Sequence, residues 1–201
     1  MVERHPYKVD VVGSTPAGPT NFSVPLAQES TLPKSKSKGT LGPLDPRPMS
    51  QSSVTMTEMV LPVHTNSLGT IFGGVIMSWI DIAAAIAAQR HSGRPVVTAS
   101  IDDLHFIAPA YNGWVVNLKA SVNYVSKTSM EVGVRVDAEN PVKACSHHTA
   151  SAYLTFVALD EEGKPTQAPP VVPESKEEKR RFAAAELRRK WRLERRQLHG
   201  R

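Results

Sequence analysis

The chain of 201 residues has very little cysteine, with Cys145 as the only one. A single cysteine cannot form an intrachain disulfide, and a reducing compartment is therefore the simpler expectation. The first residues contain Glu3 and Asp10 and lack an apolar run, so they do not form a secretory signal. Arg4 and Lys8 alone make a poor organelle transit peptide. We expect a cytoplasmic location and leave a mitochondrial one open.

Long hydrophobic runs are also lacking. The most apolar stretch, residues 75–88, is interrupted by Ser78 and Asp81. It is shorter than the roughly 20 apolar residues that span a bilayer. We therefore expect no membrane insertion and interpret this stretch as a core helix.

Net positive charge is absent from the body of the chain, although the formal net charge of the whole is +5. Residues 174–201 contain eleven Lys or Arg and five Asp or Glu, which leaves residues 1–173 with a net charge of −1. Nonspecific affinity for nucleic acid comes mainly from cations that neutralise phosphates. A near-neutral body therefore argues against a nucleic-acid partner.

The composition divides the chain into three parts. Residues 1–53 hold eight of the sixteen prolines and few large apolar side chains, so we expect a disordered tail. Residues 54–165 form the expected folded domain. Residues 166–201 begin with a proline-rich connection and continue as a charged helix over 174–199, interpreted as solvated or packed on a partner.

The folded part follows one order of patterns. A half-buried strand is predicted over 55–61 and a long helix over 75–90, which is ended by Gly93 and Pro95. Its apolar residues cover nearly all sides and predict a helix surrounded by other elements. Four strand-like segments follow, over 96–107, 114–125, 130–138 and 149–159. This order predicts an α+β fold with an antiparallel sheet wrapped around one central helix.

Candidate chemistry lies at the start of that helix. The loop before it supplies Asn66, and Gly73 with Gly74 opens the helix. Glycines allow close approach to the backbone, and the free amides of a helix N-terminus can stabilise an oxyanion. The segment has neither a Walker motif nor a dinucleotide fingerprint, which disfavours nucleotide hydrolysis and hydride transfer.

Asp81 is the only charged residue between Phe72 and Gln89. A carboxylate buried without partners is costly, so it must reach water, a hydrogen-bond donor or a substrate. It shares one helical stripe with Ser78, Ala85 and Gln89. The pattern alone leaves two interpretations open, namely a functional carboxylate and an ordinary solvent-facing edge.

The combined motifs from Met56 to Phe182 resemble the cytosolic, brain-type acyl-CoA hydrolases and their single-domain bacterial relatives, which share the hotdog thioesterase fold. The resemblance is carried by Asn66, Gly69, Phe72-Gly73-Gly74, Met77, Asp81, Val97-Thr98-Ala99-Ser100, Lys127-Thr128-Ser129-Met130-Glu131 and the run from Val172 to Phe182. It implies hydrolysis of acyl-CoA to free fatty acid and coenzyme A, without a serine nucleophile, a metal or a cofactor besides the coenzyme A of the substrate.

The resemblance also implies roles for single residues. Asp81 would be the general base, with direct nucleophilic attack as the alternative, and Asn66 would come from the opposite subunit. Gly73 and Gly74 would hold the oxyanion. Lys127, Thr128 and Ser129 would contact coenzyme A, although Lys127 is equally typical of an ordinary turn. A homodimer or a trimer of dimers is the expected assembly.

Two alternatives stay open. One is a hotdog protein that binds acyl-CoA or acts as a scaffold without turnover, against which the presence of both Asn66 and Asp81 argues. The other is a dehydratase acting on enoyl-CoA, which would need a histidine near Asp81, and none precedes His91 on the helix. His64, His105 and the run 145–148 do not have the spacing of a standard zinc site.

Overall fold

Five antiparallel strands and one long helix form the centre of the computed structural model, which describes Gly42 and residues 44–198. In chain order the strands of the main sheet are β2 (Val54–Met59), β3 (Val96–Phe106), β4 (Val115–Val125), β5 (Ser129–Asn140) and β6 (Cys145–Ala158). Their order across the sheet is β2-β4-β5-β6-β3. β2 and β3 are therefore the two edges of this sheet.

The helix α1 (Gly73–Ser92) packs against the concave face of the sheet and contacts all five strands. Its buried residues recur at helical spacing and include Ile76, Trp79 and Ile80 together with four alanines. Gly93 ends the helix in the left-handed region with φ 67°, and its amide donates to the Gln89 carbonyl at 2.8 Å. The predicted α+β hotdog fold, with an antiparallel sheet around one long helix, is confirmed.

One side of α1 is open in the single chain. Met77, Ser78 and Ile82 are exposed there, and Asp81 is half-buried beside them. The prediction of a helix enclosed on nearly all sides is thus wrong for one chain taken alone. The sheet covers only one face of α1, and nothing among the described residues covers the other.

The folded region begins earlier than the predicted boundary at residue 54. A short strand β1 (Arg47–Pro48) pairs in parallel with β7 (Val171–Val172), and a 3₁₀ helix follows over Met49–Ser52. Met49 is fully buried, and the Ser52 hydroxyl accepts the Val122 amide at 2.9 Å. Residues 44–53 are therefore ordered, contrary to the prediction, because distant partners bind them. Residues 1–41 and 43 of the predicted tail lie outside the described residues.

The C-terminal helix α2 (Lys176–Leu198) lies on the opposite face of the sheet from α1. Phe182 stacks on Tyr124 of β4 with ring centroids 5.1 Å apart, and Arg188 lies over the Tyr153 ring of β6. Arg188 also forms an ion pair with Glu131 of β5 at 2.6 Å. Burial raises the pKa of Glu131, and the hydrogen bonds from Arg188 oppose that shift. The helix therefore packs on its own chain, with Leu187 and Trp191 left exposed.

None of the helices within the described ranges is long and apolar enough to cross a membrane.

His91 is a fully buried titratable group near the end of α1. Its Nε2 lies 2.9 Å from the Pro169 carbonyl, which makes Nε2 the donor, and its Nδ1 has no hydrogen-bond partner. Desolvation lowers the pKa of His91, the Pro169 carbonyl raises it, and nearby Arg47 lowers it further. His91 is therefore neutral in the folded chain at neutral pH.

We predict that His91 makes the fold sensitive to mild acid. Its folded pKa lies below the unfolded value of 6.5, so the unfolded chain binds the extra proton more readily. The stability that neutral His91 contributes is present above about pH 6.5 and is lost as the pH falls toward the folded pKa. Melting temperatures measured from pH 7.5 to pH 5 should decline less in His91→Gln than in the parent. The exposed His105→Gln is the control and should follow the parent, and an equal acid decline in all three proteins would contradict this role.

Candidate functional site

The loop before α1 is organised around the side chain of Asn66. Its Oδ1 accepts the amides of Leu68 at 2.9 Å and Thr70 at 3.3 Å, and its Nδ2 lies 2.9 Å from the Thr70 hydroxyl. The loop backbone closes on itself, since the Asn66 amide donates to the Thr70 carbonyl at 2.9 Å. Asn66 is half-buried and fixed in orientation, so it can present an edge of its amide to a ligand at the loop surface.

The first turn of α1 offers backbone donors. None of the described hydrogen bonds uses the amides of Gly73 or Gly74, as expected for the first residues of a helix. A Cβ on Gly74 would come within 2.7 Å of the Phe72 ring, and one on Gly73 within 3.4 Å of Phe106. Because neither residue has a Cβ, the backbone of the first turn lies close to the Phe72 and Phe106 rings while its amides stay accessible. Donors placed in this way suit a developing negative charge.

Asp81 lies on the open side of α1 and is held by one side chain from the edge strand β3. The Thr98 hydroxyl donates to Asp81 Oδ1 at 2.8 Å. Thr98 is exposed and Asp81 is half-buried. The second carboxylate oxygen of Asp81, Oδ2, has no hydrogen-bond partner among the described groups. The carboxylate is thus oriented by Thr98 while remaining available to water or to a substrate.

Thr98 points toward α1 because β3 contains an irregularity immediately after it. Thr98 pairs with Phe156 of β6, whereas Ser100 pairs with Thr155, which leaves Ala99 as an extra residue. Phe156 belongs to the core on the α1 side, so Thr98 shares that face. A bulge of this kind is a common way to aim a side chain beside an active site.

The structure places the Lys127 turn at the same end of the sheet as Thr98. Ser129 and Met130 follow the turn, and Met130 pairs with Phe156, which pairs with Thr98 on the next strand. Two strand spacings separate Met130 from Thr98, or about 10 Å. Lys127 is exposed, while its carbonyl accepts the Ala168 amide at 3.2 Å.

Within one chain the predicted site residues fall into two groups. Asp81 and Thr98 lie beside the Lys127-Thr128-Ser129 turn. Gly73 and Gly74 lie near Phe106, at the other end of β3, and the Asn66 loop joins this end of α1. Asp81 follows Gly73 by eight residues, or about 12 Å along the helix axis. The structure therefore does not bring Asn66 and Asp81 together inside one chain.

Sequence reasoning missed the role of Thr98. The residue appeared only as part of the stretch from Val97 to Ser100 that carries the family resemblance. Regular alternation along the predicted strand gives no reason to single it out, because the bulge at Ala99 changes which side chains share a face. The signal in the sequence was indirect, namely a helical carboxylate that needed a donor from another element.

Exposed apolar side chains surround the open side of α1. They lie on the preceding loop, on the helix and on the edge strand β3, and they are Leu68, Phe72, Met77, Ile82, Ile101, Phe106 and Ile107. Within residues 44–198, β3 pairs with β6 alone, so the other edge of its eleven residues has no partner strand there. Contiguous apolar surface next to a free strand edge is typical of a protein interface.

Among the residues that the structure describes, no group of three or more His, Cys, Asp and Glu is arranged to hold a metal ion. Cys145 is exposed at the first position of β6. His64 packs edge-on against Trp79 with ring centroids 5.2 Å apart, and its Nδ1 accepts the Leu61 amide at 3.2 Å. These contacts give His64 a structural explanation.

Comparison with known proteins shows the family. Residues 68–145 match the Thioesterase superfamily. A Bacillus subtilis protein named as an uncharacterized acyl-CoA thioester hydrolase is 44% identical over 128 residues, which cover 64% of this chain and 74% of that protein. The human cytosolic acyl coenzyme A thioester hydrolase is 35% identical over 140 residues, or 69% of this chain. The match spans only 37% of the human protein's length.

Solved structures agree with these matches. The acyl-CoA hydrolase of Staphylococcus aureus, determined with butyryl coenzyme A, coenzyme A and coenzyme A disulfide, superposes with a TM-score of 0.72 at 40% identity. That match covers 77% of this chain and 94% of the S. aureus chain. A hexameric acyl-CoA thioesterase gives a TM-score of 0.74 at 41% identity, covering 76% of this chain and 97% of that one.

The S. aureus hydrolase has also been solved as three alanine variants, which replace an asparagine, an aspartate and a threonine. The aspartate follows the asparagine by 15 positions, and the threonine follows the aspartate by 17. Asn66, Asp81 and Thr98 have the same two spacings. With 44% identity to a relative whose length it mostly spans, this chain belongs to the acyl-CoA thioester hydrolases of the hotdog thioesterase superfamily.

Proposed function

We propose that this chain hydrolyses acyl-CoA thioesters at a site shared by two copies of itself, with Asp81 of one subunit facing Asn66 of the other. The observation that carries the proposal is the Asp81 carboxylate, which Thr98 holds at 2.8 Å on the open, apolar-rimmed side of α1. The matching spacing of three residues altered in the S. aureus hydrolase supports the same set.

A second copy suits the exposed apolar surface described above. Two β3 strands related by a twofold axis would pair edge to edge in antiparallel fashion, which would extend the sheet and bury Ile101 and Phe106. The same axis would lay the two α1 helices side by side in opposite directions. Asn66 and the glycine-opened helix end of one copy would then approach Asp81 of the other. The hexameric relative supports three such dimers as the complete assembly.

The chemistry follows from the groups so assembled. Asp81 takes a proton from a water molecule, whose oxygen attacks the thioester carbonyl carbon and forms a C–O bond. The carbonyl oxygen becomes an oxyanion, which accepts hydrogen bonds from the amides of Gly73 and Gly74. The C–S bond then breaks, and the proton held by Asp81 passes to the leaving thiolate. The products are a free fatty acid and coenzyme A.

Asn66 would orient the attacking water or the thioester group. Direct attack by Asp81 would instead form a mixed anhydride that a later water hydrolyses. After one turnover in ¹⁸O-water, the general-base route leaves Asp81 unlabelled. Label in the Asp81 carboxylate would show the nucleophilic route, with water attacking the aspartyl carbonyl carbon of the anhydride.

Shared sites can be tested by mixing inactive subunits. Asp81→Ala should lower kcat by about 10²–10⁴-fold through loss of the base. Asn66→Ala should lower it by roughly 10²–10³-fold, as for one polar group at a reacting centre. A mixed dimer of the two variants contains one site in which both residues are intact.

Random mixing of the two variants makes half of the dimers mixed, so about a quarter of the parent activity should return. The mixture is refolded or coexpressed together, and thiol release from acyl-CoA is followed. Combining Asp81→Ala with the double variant Asn66→Ala/Asp81→Ala is the control and should restore nothing. Absence of recovery in the first mixture, despite a confirmed mixed assembly, would contradict the shared site.

Thr98 gives an independent test of how the carboxylate is held. A hydrogen bond to a charged group contributes about 1.5–3 kcal/mol, so Thr98→Ala should lower kcat by about ten- to a hundredfold. Thr98→Ser keeps the hydroxyl and should stay close to the parent. Steady-state kinetics with one acyl-CoA measure both variants, and equal rates for alanine and serine would show that the hydroxyl is not needed.

Lys127, Thr128 and Ser129 are proposed to contact the phosphates and pantetheine of coenzyme A. Lys127 is exposed, Thr128 and Ser129 are half-buried, and their turn lies at the Asp81 end of the sheet. Lys127→Ala should raise KM several-fold with little change in kcat, because it removes binding common to ground state and transition state. Lys143, exposed on another turn, provides the matched control as Lys143→Ala. An unchanged KM in Lys127→Ala would show that Lys127 is an ordinary turn residue that does not bind coenzyme A.

The alternatives differ in measurable ways. A non-catalytic acyl-CoA-binding protein would release thiol equally slowly with or without Asp81. A dehydratase would need a histidine beside Asp81, but His91 lies about 15 Å further along the helix axis. The His91 ring is also buried against the Pro169 carbonyl. Cytoplasmic location and the absence of a nucleic-acid partner remain predictions from the sequence.

A further inference from the structure

The last turns of α2 reach across the outer face of the sheet to the edge strand β3. Arg192 donates from its guanidinium to Asp102 Oδ2. Both side chains are nearly buried, with 13% of Arg192 and 9% of Asp102 exposed. The proposed reaction uses neither residue. A desolvated ion pair between a terminal helix and an edge strand therefore needs its own explanation.

The Asp102 carboxylate accepts hydrogen bonds from three side chains, which lie on β3, β6 and α2. The Ser100 hydroxyl donates to Oδ1 at 2.7 Å, and the Thr155 hydroxyl of β6 donates to Oδ2 at 2.7 Å. Arg192 supplies the third contact from α2. Asp102 thus joins β3 to the neighbouring strand β6 and to α2, which lies over both. We call this group, comprising Ser100, Asp102, Thr155 and Arg192, the Asp102 cluster.

The Asp102 cluster lies on a doubly irregular part of β3. The pairing with β6 shifts between Thr98 and Ser100 and again between Ile101 and Asp103, so Ala99 and Asp102 are the two extra residues. In a regular strand, residues 98 and 100 would share one face. Here the bulge at Ala99 lets Thr98 face α1 while Ser100 faces the Asp102 cluster and α2.

The contacts that β3 makes on its two faces therefore depend on the same bulge, the one at Ala99. If the strand straightened, either Thr98 would leave Asp81 or Ser100 would leave Asp102. The donors around Asp102 favour the bulged form, because a carboxylate with so little exposure needs its partners. Arg192 is the charged donor of the Asp102 cluster, and it comes from α2.

We propose that Arg192 is a positioning residue for hydrolysis: by holding Asp102 it fixes the bulge in β3 that aims Thr98 at Asp81. This inference rests on the proposed function, since it assigns to Arg192 an effect on the orientation of the catalytic carboxylate. It gives α2 a role in the reaction although the helix lies on the far side of the sheet. The chemistry itself stays with Asp81 and the substrate.

We expect replacement of Arg192 to lower kcat, whereas replacement of another arginine of α2 should not. Arg192→Gln should lower kcat by about tenfold with KM nearly unchanged, as is typical of coupling through a packed network. Arg192→Lys should recover part of the loss because it restores the charge without the planar fork. Arg181→Gln is the matched control, since half-buried Arg181 of the same helix donates to the Ser121 hydroxyl on β4, a strand that does not pair with β3. It should keep the parent kcat.

A double-variant cycle with Thr98→Ala separates positioning from simple destabilisation. If Arg192 acts through Thr98, adding Arg192→Gln to Thr98→Ala should lower kcat little further, whereas independent effects would multiply. Hydrogen exchange of the amides from Thr98 to Asp103 should quicken in Arg192→Gln and not in Arg181→Gln. Multiplicative losses in kcat, or parent kcat in an oligomeric Arg192→Gln, would overturn the inference.

Asp81→Ala is measured alongside to separate the two hypotheses. If Asp81→Ala keeps full activity, the proposed function fails whatever Arg192 does. If Asp81→Ala is inactive while Arg192→Gln is fully active, only the positioning role fails. Should Arg192→Gln not fold, Asp102→Asn replaces it in the same cycle, because the amide keeps the shape of the side chain and removes its charge.

Discussion

The structure depends on one hydrogen bond between an apolar helix and an edge strand, the one from the Thr98 hydroxyl to the Asp81 carboxylate. A charge on a helix that otherwise packs against a hydrophobic sheet is tolerated only where a donor or solvent reaches it. The open side of α1 meets both needs. The same side of α1 also carries apolar residues, which suit contact with another subunit and with an acyl chain. The Asp81 carboxylate therefore has apolar neighbours.

The remaining elements position Asp81 and Thr98, or the groups that are proposed to act with them. The sheet supplies β3 at its edge, so Thr98 lies on a strand whose outer edge has no partner strand among the described residues. The glycine-opened end of α1, which the Asn66 loop joins, lies about two helical turns from Asp81, or roughly 12 Å. Such an arrangement favours chemistry between subunits over chemistry within one. Under the proposed function, assembly and catalysis would be two consequences of a single interface.

Much of the fold was predictable because it repeats regular patterns. Alternation and helical periodicity located the strands and α1 within a few residues, and a lone aspartate in an apolar helix indicated a site. The boundary at residue 54 was wrong because Met49 and Ser52 are ordered by distant partners, which leave no local pattern. Thr98 was missed because a bulge breaks the alternation that identifies faces. The charged residues of α2 suggested solvation or a partner, whereas Arg188 and Arg192 bind buried carboxylates of their own chain.

The pairing of β1 with β7 has a consequence for the smallest chain that can fold. Arg47 donates to the His91 carbonyl at 2.6 Å, and the Ser52 hydroxyl accepts the Val122 amide. A shortened chain beginning at Val54, where the main sheet starts, would leave both of these backbone groups without their partners and would uncover β7. The minimal folding unit therefore starts upstream of the first sheet strand, at Arg47 or earlier, and two short segments more than a hundred residues apart must be kept or removed together.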